Sequence, residues 1–281
     1  YSVAETGTGL TMNLASADAA ANAITVNLGA GALGALTLGD ATGTDFETIN
    51  LVVDGTTSTT LDEANSDGAL AAAAGESIVI TGSSAAFELN VSDAALGGDT
   101  TIGNATTATV DASNFTGVFT LDLGVLETEH VDASDFSGVD IIKIQTDDTG
   151  TVDNHLVDVE SGTIVEVAGT EAVDNTLQID PDGTGTSDTL TVKLDHATAG
   201  SSIDIAGLTV NSFETVTIES SNVSTAAATV TNVIDDIAGT SSDTTLNISG
   251  SSNFTATGIE NTFTKVNVTN TATTNLTVDS G

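Results

Sequence analysis

Short runs in which apolar and polar residues alternate recur from one end of this chain to the other. AITVNL (23–28), ALTL (35–38), ETINLVV (47–53), ESIVIT (76–81) and FELNVS (87–92) occupy the first third. FTLDL (119–123), IIKIQT (141–146), TIVEV (163–167), NTLQID (175–180) and TLTVKLD (189–195) follow. ETVTIE (214–219), TTLNIS (244–249), TKVNVT (264–269) and NLTVDS (275–280) complete the series. Each is rich in Val, Ile, Leu and Thr and is bounded by Gly, Asp, Asn or Ser. A period of two places alternate side chains on opposite faces, the pattern of a strand. The chain is therefore expected to be all-β. Two segments suggest short helical insertions: LDEANSDGALAAAAGE (61–76), with acidic residues near its start and four alanines, and STAAATVTNVIDDIAG (224–239), with Ser224 as N-cap and Gly239 as stop.

The runs are not independent of one another. VDASNFTGV at 110–118 returns as VDASDFSGV at 131–139, changed only at Asn114/Asp135 and Thr116/Ser137. NVSDAALGG at 90–98 keeps the skeleton, so Val91, Val110 and Val131 head a nearly evenly spaced series. A second phrase repeats as FETINLVVDG (46–55) and FETVTIESSN (213–222). A unit of about 20 residues is too short for a domain and suits one coil of a β-solenoid, in which like residues stack on like. A β-solenoid or parallel β-helix-like fold is expected, with tandem β-sandwich modules as the alternative, because hairpins spaced every ~8–12 residues would also give this repeat. In the solenoid, Val110 and Val131 point inward, Phe115 and Phe136 plug corners, and Gly117 and Gly138 turn the chain. Asp111 and Asp132 would then stack in register, as would Asn114 and Asp135. Three regions are distinguished: 1–85, a β region with a helical insertion; 86–210, the repeated rungs; and 211–281, a second β region with a helical insertion. One continuous elongated assembly is expected. The pattern persists into the final NLTVDSG, so a fragment of a longer chain is expected.

Charge narrows the partners. The 281 residues include 40 Asp and Glu against three cationic side chains, Lys143, Lys193 and Lys265, for a net charge of −37. Nucleic-acid binding needs Lys and Arg to displace counterions from phosphate, and an anionic membrane surface makes the same demand. No apolar run approaches the ~18 residues of a membrane-spanning helix. Neither nucleic acid nor membrane insertion is expected. A chain so acidic repels itself unless cations neutralise it. Calcium, with its preference for six to eight oxygen ligands, is the expected cofactor. The absence of cysteine excludes disulfides and thiol chemistry.

Three groups of carboxylates are candidate metal ligands. In DPDGTGTSD (180–188), Asp180, Asp182 and Asp188 flank Gly183 and Gly185, which permit a sharp turn that gathers oxygens; the competing reading is an Asp-Gly hairpin turn. DDTGTVDN (147–154) repeats the composition with Asp147, Asp148 and Asp153. The twin phrases add Asp111, Asp132 and Asp135, whose stacking requires either water or a cation between them. Catalysis finds little footing. His130, His155 and His196 stand in separate strand-like contexts and read as exposed strand or loop residues; no G-x-S-x-G elbow and no phosphate-cradling G-x-x-x-x-G-K loop is present. A β-helix carbohydrate-active enzyme would have its paired carboxylates, but lacks Arg and Trp to hold a sugar. No enzymatic activity is expected. Eight Asn-x-Ser/Thr sequons are glycosylation acceptors only in a host with that machinery.

The twin VDAS phrases and the twin FET phrases, set in a Cys-free, Lys-poor chain rich in Thr, Ala, Gly and Asp, resemble bacterial surface-layer proteins. The similarity is to the type I-secreted proteobacterial kind and to related calcium-dependent RTX surface proteins. The resemblance implies a secreted, self-assembling cell-surface protein stabilised by calcium. It also implies tethering to an envelope polysaccharide through a region outside this chain. The glycine-rich nonapeptide G-G-x-G-x-D of that family is absent, GGDTT at 97–101 being only a fragment, so no ligand is carried over from it. The departure leaves a calcium-dependent adhesin or extracellular filament module as the second expectation.

Overall fold

The computed structural model describes residues 2–3, 10–12, 23–28, 31–33, 36–38, 48–54, 59–62, 77–90, 109–126, 130–146, 154–170, 176–183, 185–198, 200–222, 230–239 and 244–278. Every strand pair recorded among them is parallel. Parallel neighbours cannot be joined by hairpins, so the tandem-sandwich alternative falls and the β-solenoid-like architecture stands. Among the described residues no helix is long and apolar enough to cross a membrane.

The chain forms two compact units, the first comprising residues 1–124 and 135–141 and the second 125–134 and 142–281. The first contains β1 (Ser2–Val3), β2 (Leu10–Met12), β3 (Ala23–Leu28), β4 (Gly31–Leu33), β5 (Leu36–Leu38), β6 (Thr48–Asp54), β7 (Thr59–Asp62) and β8 (Ser77–Asn90). It also holds most of β9 (Thr109–Leu126). Here β1, β3, β6, β8 and β9 are successive neighbours, β4 and β7 lead onto the distal part of β8, and β2 pairs with β5. Inward residues stack in columns. Ile24, Ile49, Ile78 and Val110 are register partners in turn, as are Val26, Leu51 and Ile80, and all are buried. Phe87 lies on Phe119 with ring centroids 5.7 Å apart and planes within 19°.

In the second unit the strands alternate between two sheets. One, the β12 sheet, takes β12 (Ile141–Thr146), β14 (Ile164–Thr170), β16 (Thr189–Leu194), β18 (Thr215–Ser220), β20 (Thr244–Gly250) and β22 (Phe263–Val268). The other, the β10 sheet, takes β10 (His130–Asp132), β13 (Asn154–Val159), β15 (Thr176–Pro181), β17 (Asp204–Val210), β19 (Thr231–Gly239), β21 (Asn253–Ile259) and β23 (Thr274–Val278). From β12 on, each coil thus gives one strand to each sheet. Val165, Val192, Ile218 and Ile248 form one buried column; Leu177, Leu208, Ile237 and Ile259 form another. Each such aliphatic side chain, taken out of water, contributes roughly 1.5–3 kcal/mol.

Three expectations need correction. Coil length is not constant: one of the shortest steps pairs Thr244 with Phe263, and one of the longest pairs Ser77 with Thr109. Both strand pairs remain parallel, with a register shift at Thr244/Thr245 in the first and at Val79/Thr81 and Ser83/Ala86 in the second. Thr231–Gly239, inside the second helical candidate, is strand β19, because β17 and β21 supply ladder partners on both sides. The first candidate (61–76) begins with Leu61 and Asp62 in β7; its stretch from 63 to 76 lies outside the described residues, as does the 91–98 copy of the VDAS phrase. Third, Asp111 and Asp132 are not register partners. Asp111 faces Val79 and Ser137, and Asp132 faces Val157. Asn114 faces Thr81 rather than Asp135. The sequence repeat would set Val131 on Val110, but the ladder instead sets Phe136, in β11 (Phe136–Ser137), on Val110.

Coil closure in the second unit depends on buried amides. Asn232 is fully buried; its Nδ2 lies 3.2 Å from the Leu194 carbonyl, 3.1 Å from Ser220 Oγ and 3.0 Å from the Ser221 carbonyl. Its Oδ1 accepts the Ile203 N–H at 2.9 Å. One side chain therefore ties the backbone of Leu194, Ile203 and Ser221 together and supplies the acceptor for the Ile203 N–H, while the Leu194 carbonyl also accepts the Ser221 N–H at 2.9 Å. Replacing Asn232 with Ala leaves the Ile203 N–H without this acceptor and is expected to cost about 1–3 kcal/mol, read as a lower denaturation midpoint at unchanged slope.

Candidate functional site

The twin phrases build the same local turn twice. Asp111 Oδ1 accepts the Ser113 N–H at 2.9 Å and its hydroxyl at 2.6 Å; Asp132 Oδ1 accepts the same two groups of Ser134 at the same distances. The Asp-x-Ser spacing dictates this, since a short carboxylate reaches the backbone two residues on. The Ser113 hydroxyl, the Ser113 N–H and the Ser137 hydroxyl hold the Asp111 carboxyl below the usual carboxylate value. The motif is thus a structural corner. Val110 and Val131 are buried inward positions, Phe136 is buried, and Phe115 is half-buried against Phe87 and Phe119. Gly117 and Gly138 both have positive φ, 141° and 70°; a Cβ would meet the Ser84 carbonyl at the first and lie 2.6 Å from Ser113 N at the second. Asp135 closes the 3-10 turn Ala133–Asp135.

Asp180, Asp182 and Asp188 do not converge. Asp180, near the end of β15, faces a histidine: its Oδ2 lies 2.7 Å from His155 Nε2, and its carboxylate also accepts from Gln178 Nε2 at 3.3 Å and from Asn211 Nδ2. Asp182 is exposed, its N–H bonded to the Val159 carbonyl at 2.9 Å. Asp188 lies before β16, where Glu214 Oε2 accepts its N–H at 2.6 Å. Asp147, Asp148 and Asp153 lie outside the described residues. Among the described residues no three His, Cys, Asp or Glu side chains are grouped to hold a metal ion.

Calcium requires oxygens with lone pairs to spare. Asp180 fits poorly, since three side chains already engage it. Asp188 fits better: its Oδ2 is buried and accepts no hydrogen bond, with the Glu214 carboxylate beside it. Glu214 belongs to the second FET phrase, which in the sequence is marked only as a repeat. A second acidic focus lies on the β10 sheet. Burial, then the charges of Asp132, Asp182 and Asp180, hold the Asp158 carboxyl above the usual value, and its backbone is in the left-handed region at φ 56°. Elsewhere acidity is neutralised internally: Lys193 Nζ sits 2.8 Å from both Glu166 and Asp195.

The structure also joins residues that the sequence left apart. His130 and His155 are register partners on β10 and β13, with Nδ1 atoms 3.1 Å apart. Their separation along the chain matches neither repeat interval, so no motif marks the pair. His155 is buried rather than exposed, whereas His196 is a loop residue whose Nδ1 accepts the Thr198 N–H at 2.9 Å.

Comparison with known proteins finds no family model, no curated protein and no solved structure that matches the chain.

Because Asp158 has a folded-state value above its unfolded one, its contribution favours the fold at acid pH and is lost as pH rises through the folded value. Asp158→Asn, which tolerates the same backbone, should raise Tm at about pH 7 by roughly 1–2 °C, the size expected of a screened surface charge. The gain should vanish at about pH 3, where both side chains are neutral.

Proposed function

We propose that this chain is a non-enzymatic structural module of a secreted, self-assembling cell-surface coat, in which calcium neutralises and bridges acidic faces. The observation that carries the reading is the crowding of Asp132, Asp158, Asp180 and Asp182 around stacked parallel coils. Parallel stacking repeats a strand about every 4.7–4.9 Å, which makes a rigid scaffold and also concentrates like charge. A divalent ion supplied by the medium relieves that repulsion within a protomer. Between protomers it converts two repelling faces into a contact. Asp188 and Glu214 are the residues best placed to hold such an ion within one chain.

An adhesin or filament module is the second reading, and the outward face of the β12 sheet favours it. Thr189, Thr215 and Thr245 are successive register partners, and so are Thr191, Thr217, Asn247 and Asn267. Asn267 Nδ2 donates to Asn247 Oδ1 at 2.8 Å. Such columns of hydroxyls and amides suit an extended glycan.

Calcium should raise Tm and produce sheets visible by negative-stain microscopy, and EDTA should disperse them. An unchanged Tm and an unchanged oligomeric state with EDTA would sink the coat reading. A monomer that binds polysaccharide saturably, with no tendency to assemble, would select the adhesin.

A further inference from the structure

We propose that His130 and His155 form a binding site for a divalent transition-metal ion of the imidazole-preferring class, such as Zn²⁺. The inference rests on the histidine geometry and stands apart from the coat reading. The two residues face each other across adjacent parallel strands, with ring centroids 5.0 Å apart and planes at 63°. Zinc–imidazole bonds are about 2.0–2.1 Å, so two nitrogens on one near-tetrahedral ion stand roughly 3.0–3.4 Å apart. The Nδ1 atoms are 3.1 Å apart. The donor atoms therefore have the required separation without movement of the strands.

The surroundings fix the chemistry of the donor atoms. His155 Nε2 lies 2.7 Å from Asp180 Oδ2, and Asp180 is itself braced by Gln178 and Asn211. A neutral His155 that donates Nε2–H to this carboxylate presents a bare lone pair at Nδ1. A carboxylate behind a metal-binding imidazole orients the ring and raises its basicity. With His155 in that tautomer, the donor in the 3.1 Å contact between the rings is the His130 Nδ1–H. On binding, the proton between the two Nδ1 atoms shifts to His130 Nε2, so that both Nδ1 lone pairs face the ion. Asp132, on the same strand as His130, together with Asp158, Asp180 and Asp182, supplies a negative field that concentrates cations here. The pair offers two protein ligands, so water completes the coordination and the affinity is below that of a closed four-ligand site. Calcium, which prefers oxygen donors, is a poor competitor.

The test is titration calorimetry of the chelator-stripped protein with ZnCl₂ in a large excess of CaCl₂. Wild type and His196→Ala should show the same calcium-resistant binding event. His130→Ala and His155→Ala should each abolish it, and Asp180→Asn should weaken it about tenfold or more. Among the described residues β10 is at the end of its sheet, and His130 is only half-buried, so its variant decides the matter if His155→Ala fails to fold. Zinc binding that persists unchanged in His130→Ala, or that calcium displaces, or that is absent from wild type, overturns the proposal.

Discussion

Parallel, in-register stacking of backbone on backbone is the constraint from which the other features follow. A strand in a parallel sheet can satisfy its N–H and C=O groups only through the coils before and after it. Whatever a coil carries at one position is therefore set beside what its neighbours carry at the same position. Inside, this produces the columns Ile24–Ile49–Ile78–Val110 and Val165–Val192–Ile218–Ile248. It also explains why the inward columns persist although coil length varies and several pairs carry a local register shift. A one-residue slip of a whole strand would turn each column inside out.

The same rule governs charge. Stacking places like side chains close together, which an acidic chain can bear only with countermeasures. Glu166, Lys193 and Glu219 are successive partners, so a cation stands between two carboxylates. Asp111 is held by serine hydroxyls and a backbone N–H instead. Asp158 has no such relief: burial and its acidic neighbours act on it together. The acidity gathered around Asp158 is what the calcium reading addresses, while the histidine pair beside Asp180 has a separate chemistry based on nitrogen donors.

Legibility in the sequence was uneven for a physical reason. Every strand of the β12 sheet in the second unit corresponds to an alternating run, such as IIKIQT, TLTVKL and TVTIES, because one face is buried and the other wet. Most strands of the β10 sheet carried no such mark. NHLVDV is buried at nearly every position, and DIAGLTV and NFTATGI contain glycine. TNVIDDIAG breaks its alternation at Asp235 and Asp236, where the pairing passes over Ala206, Asp235 and Thr257. These segments are extended because flanking coils hold them so, not because their own pattern demands it.

By itself, then, the sequence determined that the chain is all-β and repetitive, that Val110, Val131 and Phe136 are interior, and that acidity must be managed. Those properties are local: they depend on alternation, on side-chain size and on charge count. The tertiary structure alone decided which repeats meet. The VDAS copies headed by Val110 and Val131 form two similar corners that are not register partners, whereas His130 and His155, in unlike phrases, are brought into contact. Register is set by the sum of excursion lengths and inward columns over whole coils, and no short phrase contains that sum.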